Sequence, residues 1–163
     1  MKFQIAQRLF SSTGGYASLA LRVPVGAILA AHGAQKLFGW FGGYGLEGTG
    51  QWMASIGLQP GFLMALLAGS AEFFGGLALL FGLLTRPAAV VTAFTMLVAI
   101  FSVHFSNGLF MSNNGYEYAL SLFAVTLALG VQGGGRLALD NLLLTHFAGA
   151  GRATGAVIRN SVA

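Results

Sequence analysis

Four apolar stretches follow one another along the chain, each close to the length that a membrane-spanning helix needs. A helix must supply about 20 apolar residues to cross a hydrocarbon core of roughly 30 Å. The pattern of apolar and polar positions predicts such helices at 18–38, 62–84, 87–105 and 116–131. The last is the shortest, and we expect it to extend into residues 133–139.

Turn-forming residues stand between these stretches. Pro60 and Gly61 open the second helix, Thr85-Arg86-Pro87 turns into the third, and Asn113-Asn114-Gly115 breaks the chain before the fourth. No internal repeat and no second domain is visible. The sequence therefore predicts an all-α integral membrane four-helix bundle.

The composition supports a membrane protein and excludes several other classes. Of 163 residues, 56% are hydrophobic and 7% are charged, whereas a soluble domain has about 25% charged residues. Eight Lys and Arg residues are too few to form a basic patch that would neutralise a run of phosphates, so nucleic acid is not an expected partner. The chain has no cysteine, which excludes disulfides and thiolate metal sites.

The basic residues indicate the orientation, because cytoplasmic loops of membrane proteins are enriched in Lys and Arg. Seven of the eight basic residues fall toward one face of the membrane, and only Lys36 falls toward the opposite face. We therefore expect both termini in the cytoplasm. The predicted organisation is a cytoplasmic segment at 1–17, a membrane domain at 18–140 and a cytoplasmic tail at 141–163.

Five ionisable residues stand within or at the ends of the predicted spans: His32, Lys36, Glu72, His104 and Glu117. An unpaired charge in lipid costs several kcal/mol, so each should find a polar partner. At about 1.5 Å per residue, counted from the cytoplasmic ends, His32 and Glu72 lie roughly 18 Å deep and Lys36 and His104 roughly 24 Å deep. All five are thus expected in the periplasmic half of the bundle.

This clustering favours a ligand or redox site that opens toward the periplasm. Glu72 and His32 are the candidates for proton exchange, and Lys36 would steady an oxygen on which negative charge develops. His104, Glu117 and Trp52 are the further candidate ligand contacts. The alternative is that the charges form structural ion pairs that only fix the register of the helices.

Because histidine and carboxylate side chains are metal ligands, a metal site is a further alternative. His32, Glu72, His104 and Glu117 would suit iron, manganese or zinc if four side chains converged. A haem held by His32 and His104 is less favoured, because the two residues differ in estimated depth.

The segment between the first two spans is too long for a tight turn and too rich in glycine to cross the membrane. It has eight glycines in residues 39–61. Residues 51–56 are expected to form a short interfacial helix on which Trp52 faces the lipid or the cavity. We expect this segment to cap the site as a lid.

Small residues recur on the first two spans, which favours close packing of helix backbones. They are Gly26, Ala30 and Ala34 on the first span and Ala71, Gly75 and Gly76 on the second. Association of two or more copies of the chain through the same faces is a further alternative.

Several short motifs occur in a fixed order. They are HGAQKLFG at 32–39, Glu72 before Gly75-Gly76, GLLTRPA at 82–88, His104, GYEY at 115–118 and GRLALD at 135–140. Together they resemble the DoxX family over about Leu19 to Asp140. The resemblance implies a four-helix protein of the bacterial inner membrane. The family takes its name from a subunit associated with an archaeal terminal quinol oxidase, and its members are often labelled oxidoreductases on that basis.

Two functions from different classes follow. In the first, the site binds a quinone or a related aromatic molecule and a partner redox protein supplies electrons. In the second, the protein is a non-catalytic subunit or an assembly factor of a membrane complex, and its intramembrane charges are structural.

Overall fold

The computed structural model describes residue 4 and residues 10–146, and these residues form helices joined by turns, with no β-strand among them. The helices are α1 (Gly15–Phe38), α2 (Gly45–Ser55), α3 (Gly61–Phe81), α4 (Thr85–Ala99), α5 (Glu117–Gln132) and α6 (139–146). After Ala99, helix α4 continues to Asn107, first as a wider π turn and then as a tighter 3-10 turn. With that continuation, α1, α3 and α4 are long and apolar enough to cross a membrane, and α5 is a shorter apolar helix. The prediction of an all-α membrane protein is confirmed.

Two helices end earlier than their apolar patterns predict, in both cases at a glycine. Helix α3 ends at Phe81, since Gly82 adopts a left-handed conformation (φ 69°) and its N–H binds the Leu79 carbonyl at 3.1 Å. Helix α5 ends at Gln132, followed by Gly133 with φ 79°. The expected extension of this last span into residues 133–139 is therefore wrong. Lys2, Arg8, Arg152 and Arg159 lie outside the described residues.

Helices α1 and α3 pack so closely that their glycines touch the neighbouring backbone. A Cβ atom at Gly26 would lie 2.6 Å from the Leu80 nitrogen, and one at Gly76 would lie 2.9 Å from the Ala30 Cα atom. Both distances are far below van der Waals contact, so only glycine fits. The close packing predicted from the small residues is confirmed for this helix pair.

The start of α1 and the end of α5 lie together at one end of the bundle, which we call the termini end. The Thr13 N–H donates to the Gln132 carbonyl at 2.9 Å, and the Arg136 N–H donates to the Gly15 carbonyl at 2.8 Å. The opposite end, which we call the far end, carries α2 and the loop before α5.

Arg22 is buried at the termini end, with 2% of its surface exposed. Its guanidinium donates to the carbonyls of Gly134 at 3.0 Å, Leu137 at 3.0 Å and Leu79 at 3.3 Å, and also to the Leu80 carbonyl. Carbonyl acceptors take the place of water around this charge, which makes its burial tolerable. Arg22 thus joins α1 to the end of α3 and to the segment after α5.

Asp140 is buried beside it, with 1% exposure. Its carboxylate accepts the N–H groups of Leu84 at 2.6 Å and Thr85 at 2.9 Å. Because the first N–H groups of a helix have no partner within that helix, this carboxylate stabilises the start of α4. The GRLALD motif therefore has a structural role at the termini end.

Single cysteines test the orientation, because the native chain has none. We predict that Asn113→Cys, at the exposed far end, reacts with a membrane-impermeant maleimide in intact cells, whereas Ser161→Cys reacts only after the membrane is permeabilised. Ser12 is a poor position, since its hydroxyl is hydrogen-bonded to Gln132 and Gly135. The reverse labelling pattern would place both termini in the periplasm.

Candidate functional site

A pocket of about 110 Å³, apolar over most of its surface but with several polar groups, lies among α1, α3, α4 and α5 toward the far end. Its polar lining residues are His32, Lys36, Glu72, His104 and Tyr118. Apolar side chains close its floor and sides: Leu29, Met96, Ala99, Ala119 and Leu122. The structure thus brings four of the predicted ionisable residues to one pocket, from three different helices.

Lys36 and Glu72 form an ion pair, with Nζ and Oε2 2.5 Å apart. The pair follows from the packing of α1 on α3, because Gly69 leaves room for the end of α1: a Cβ there would lie 2.8 Å from Leu37 Cδ2 and 3.2 Å from Lys36 Cβ. Side chains lean toward the N-terminus of their helix. Since α1 and α3 run in opposite directions, Lys36 leans toward the termini end and Glu72 toward the far end, and the two charges meet.

The two members of the pair differ in exposure. The Glu72 side chain is 5% exposed and the Lys36 side chain 24%. Glu72 is therefore a buried carboxylate with a lysine as its partner, whereas the lysine itself is partly exposed. Within residues 10–145 this pair is the only salt bridge.

His32 lies one turn before Lys36 on the same face of α1. Its ring faces Tyr118 of α5, with the ring centroids 6.0 Å apart and the planes tilted by 53°. Neither its ring nitrogens nor the Tyr118 hydroxyl has a hydrogen-bond partner among the described residues. Two polar groups of the pocket are thus left for a ligand or for water.

His104 reaches the pocket because α4 changes its winding. After Ala99 the helix widens into a π turn at Ile100–His104. At about 100° per residue in a regular helix, His104 would lie roughly 80° around the axis from Met96, eight residues earlier. A π turn rotates the chain less per residue, which returns His104 to the face of Met96. Both side chains line the pocket.

The loop before α5 holds the His104 ring. Nδ1 lies 2.8 Å from the carbonyl oxygen of Asn114, which also accepts a hydrogen bond from the Asn107 side chain at 3.3 Å. Asn114 has φ 60°, a left-handed conformation that asparagine tolerates well. The Asn-Asn-Gly break in the sequence therefore positions a residue of the site.

Two of the predicted ligand contacts do not line the pocket. The Glu117 carboxylate accepts the Met111 N–H at 2.8 Å and so ties down the preceding loop. Trp52 lies on α2 with 44% exposure, outside the pocket lining. The expected short helix around Trp52 exists as α2, and its tryptophan is exposed and outside this lining. Position along a helix gives depth but not direction, so the sequence could not decide which of these side chains line the pocket.

Within residues 10–146, no group of three or more His, Asp or Glu side chains is close enough together to hold a metal ion. His32, Glu72 and His104 share the pocket, while Glu117 is directed to the loop. The four candidate metal ligands are therefore not assembled as one set.

Tyr118 is the pocket residue that the sequence did not single out. The sequence contains one indication of its position: the spacing of Tyr118, Ala119 and Leu122 places them on adjoining positions of one face of α5. A tyrosine near the end of a membrane helix is ordinarily an interface anchor, so this pattern alone does not indicate a site.

The apolar helices of the bundle bury the charges of Arg22, Glu72 and Asp140 only where these meet backbone polar groups or another charge. This arrangement defines an α-helical integral membrane protein. The chain matches the DoxX family over residues 17–105, and it belongs to that family.

Two relatives are similar over most of their length. The chain is 41% identical over 123 residues, or 76% of this chain and 84% of the relative, to "Putative oxidoreductase CatD" of Bacillus subtilis strain 168. It is 40% identical over 111 residues, or 64% of this chain and 79% of the relative, to "Inner membrane protein YqjF" of Escherichia coli K12. No solved structure matches the chain.

Proposed function

We propose that the pocket binds the ring of a quinone or a similarly small aromatic molecule in the bacterial inner membrane. In this proposal, pocket side chains exchange protons with the ring oxygens, and a partner redox protein supplies the electrons. The names of the two relatives, one an oxidoreductase and one an inner-membrane protein, are consistent with this function.

The observation that carries the proposal is the unused hydrogen-bonding capacity of the pocket. Charges that serve only to hold helices together should pair with one another. Lys36 and Glu72 do so, but His32 and Tyr118 line the same pocket without a hydrogen-bond partner among the described residues. A ligand with polar edges would use these groups.

The size of the pocket fits one six-membered ring. An engineered cavity of roughly 150 Å³ admits benzene; this pocket is smaller, at about 110 Å³, but it is partly open, so part of a ring can project from its mouth. A ring could therefore enter while a longer substituent stays in the lipid. The apolar floor at Leu29, Met96 and Leu122 supplies the contact for the ring faces.

The charged side chains suit proton-coupled reduction. Reducing a quinone to its hydroquinone consumes two electrons, which the partner supplies, and two protons. Lys36 donates a hydrogen bond to a ring oxygen and stabilises negative charge there. Two protons, taken from water, pass to the ring oxygens through His32 and Glu72, each of which first accepts a proton and then gives it up.

The ion pair itself favours a second candidate function. A contact of 2.5 Å between α1 and α3 also suits a non-catalytic subunit or assembly factor, in which the pair fixes the helix register. In that case the pocket would hold no ligand.

Mass spectrometry of the purified protein separates the two functions. We predict that an isoprenoid quinone co-purifies with the wild type and with Glu47→Gln, which changes an exposed carboxylate of α2 outside the pocket. In His32→Leu, the quinone content should fall at least tenfold, because a polar contact to the ring is lost. Wild-type protein that carries no quinone and binds no added quinone would favour the structural function.

A further inference from the structure

The hydrogen bond at His104 determines which ring nitrogen carries the proton. A backbone carbonyl can only accept, so Nδ1, at 2.8 Å from the Asn114 oxygen, must be the donor. In the neutral ring the hydrogen is then on Nδ1, and Nε2 holds a free lone pair. The loop before α5 thus selects the tautomer as well as the direction of the ring.

Nε2 is available to a ligand. His104 lines the pocket, and no described residue forms a hydrogen bond with Nε2. The π turn brings the ring to the face of Met96, and the Asn114 carbonyl holds it there. A neutral, fixed imidazole of this kind offers the pocket an acceptor and no donor.

Lys36 is a hydrogen-bond donor, whereas His104 Nε2 is an acceptor. Its ammonium group can only donate, and 24% of the side chain is exposed on the open side of the pocket. The pocket therefore presents a donor from α1 and an acceptor from the end of α4. A carbonyl oxygen of the ring that is directed at His104 would face the Nε2 lone pair with another lone pair, whatever the other ring oxygen contacts. A ring with a hydroxyl group can satisfy both.

We propose that the pocket selects ring compounds that carry a hydroxyl group, and that His104 Nε2 accepts the hydrogen of that hydroxyl. The inference rests on the proposed function for the location of the ligand, and it names phenols and hydroquinones, the reduced form in the proposed reaction, as the class that binds most tightly. One consequence is that the hydroxylated form binds more tightly than the quinone form. An interaction of this kind is worth about a tenfold difference in affinity.

Nitrogen NMR of the wild-type protein in lipid nanodiscs, with ¹⁵N-labelled histidine, tests the inference. The chain has three histidines, and the signals that disappear in His104→Gln are those of His104. At a pH where the ring is neutral, we expect Nδ1 of His104 to carry the hydrogen. Phenol should shift the Nε2 signal, and anisole, which has a methyl ether in place of the hydroxyl, should leave it unchanged.

Binding of the same two probes gives a second measurement. Wild-type protein should bind phenol about tenfold more tightly than anisole, and His104→Gln should lose most of that preference. A hydrogen on Nε2, or equal responses to phenol and anisole in the wild type, would overturn the inference. If phenol behaves as expected but no quinone binds, the redox proposal fails and the hydroxyl selectivity stands.

Discussion

Replacing Glu72 by glutamine should both destabilise the protein and abolish ligand binding. The substitution removes the negative partner of Lys36 and leaves the ammonium group between α1 and α3 without its counter-charge. Loss of one member of a buried polar pair costs roughly 1 to 3 kcal/mol. Because the Lys36 side chain is partly exposed, its unpaired charge is not fully buried, and the loss of stability stays within this range. The thermal unfolding midpoint in detergent measures the effect.

A double variant separates stability from function. In Glu72→Gln combined with Lys36→Met, no charge is left unpaired, and apolar replacements of buried ion pairs are often neutral. We therefore expect the unfolding midpoint to recover while quinone binding stays lost. Glu47→Gln should match the wild type in both measurements. Recovery of binding together with stability would show that the pair acts only on the fold.

Gly33→Ala should have a large effect, because Gly33 lies at the tightest of the backbone contacts between α1 and α3. A Cβ at this position would overlap the backbone of Phe73 and lie 2.6 Å from its Cα atom, so α1 and α3 would have to separate. Forcing extra volume into such a contact costs about 1 to 3 kcal/mol or more. The separation would also move Lys36 away from Glu72, so the variant should lose the ligand as well as stability.

Gly130→Ala is the matched control, since Gly130 lies inside α5. There a Cβ would meet only Ala89 Cβ at 3.8 Å and Val90 Cγ2 at 3.9 Å, which are ordinary contacts. Alanine is a better helix former than glycine by up to about 1 kcal/mol. The unfolding midpoint should thus be unchanged or raised. Equal losses in Gly33→Ala and Gly130→Ala would contradict the assignment of close packing to α1 and α3.

The sequence predicted the helices well because lipid imposes one simple requirement on them. A run of apolar residues bounded by Pro60-Gly61 or Asn113-Asn114-Gly115 has few alternatives to a spanning helix. The depth of each residue in the membrane could also be predicted, by counting residues from the helix ends, and this count placed His32, Lys36 and Glu72 near one level. The pairing of Lys36 with Glu72 was one of the options that these depths allowed.

Direction around the helix axis was harder to predict. The π turn after Ala99 arises from packing and has no sequence signature, yet it decides that His104 lines the pocket. Glu117 is near the correct level but bonds to the Met111 backbone. Trp52 is one of several aromatic residues at the far end, and only the fold of residues 39–61 determines which way each one faces.

The burial of Arg22 sets an order on the assembly of the protein. This residue enters the bilayer early in synthesis, while two of the carbonyls that surround it, on Gly134 and Leu137, are made more than a hundred residues later. Until then its guanidinium must stay near lipid phosphates or water. The first helix therefore cannot reach its final position before the ribosome has completed the last spanning helix, and a chain truncated within α5 would expose an unsatisfied charge to membrane quality control.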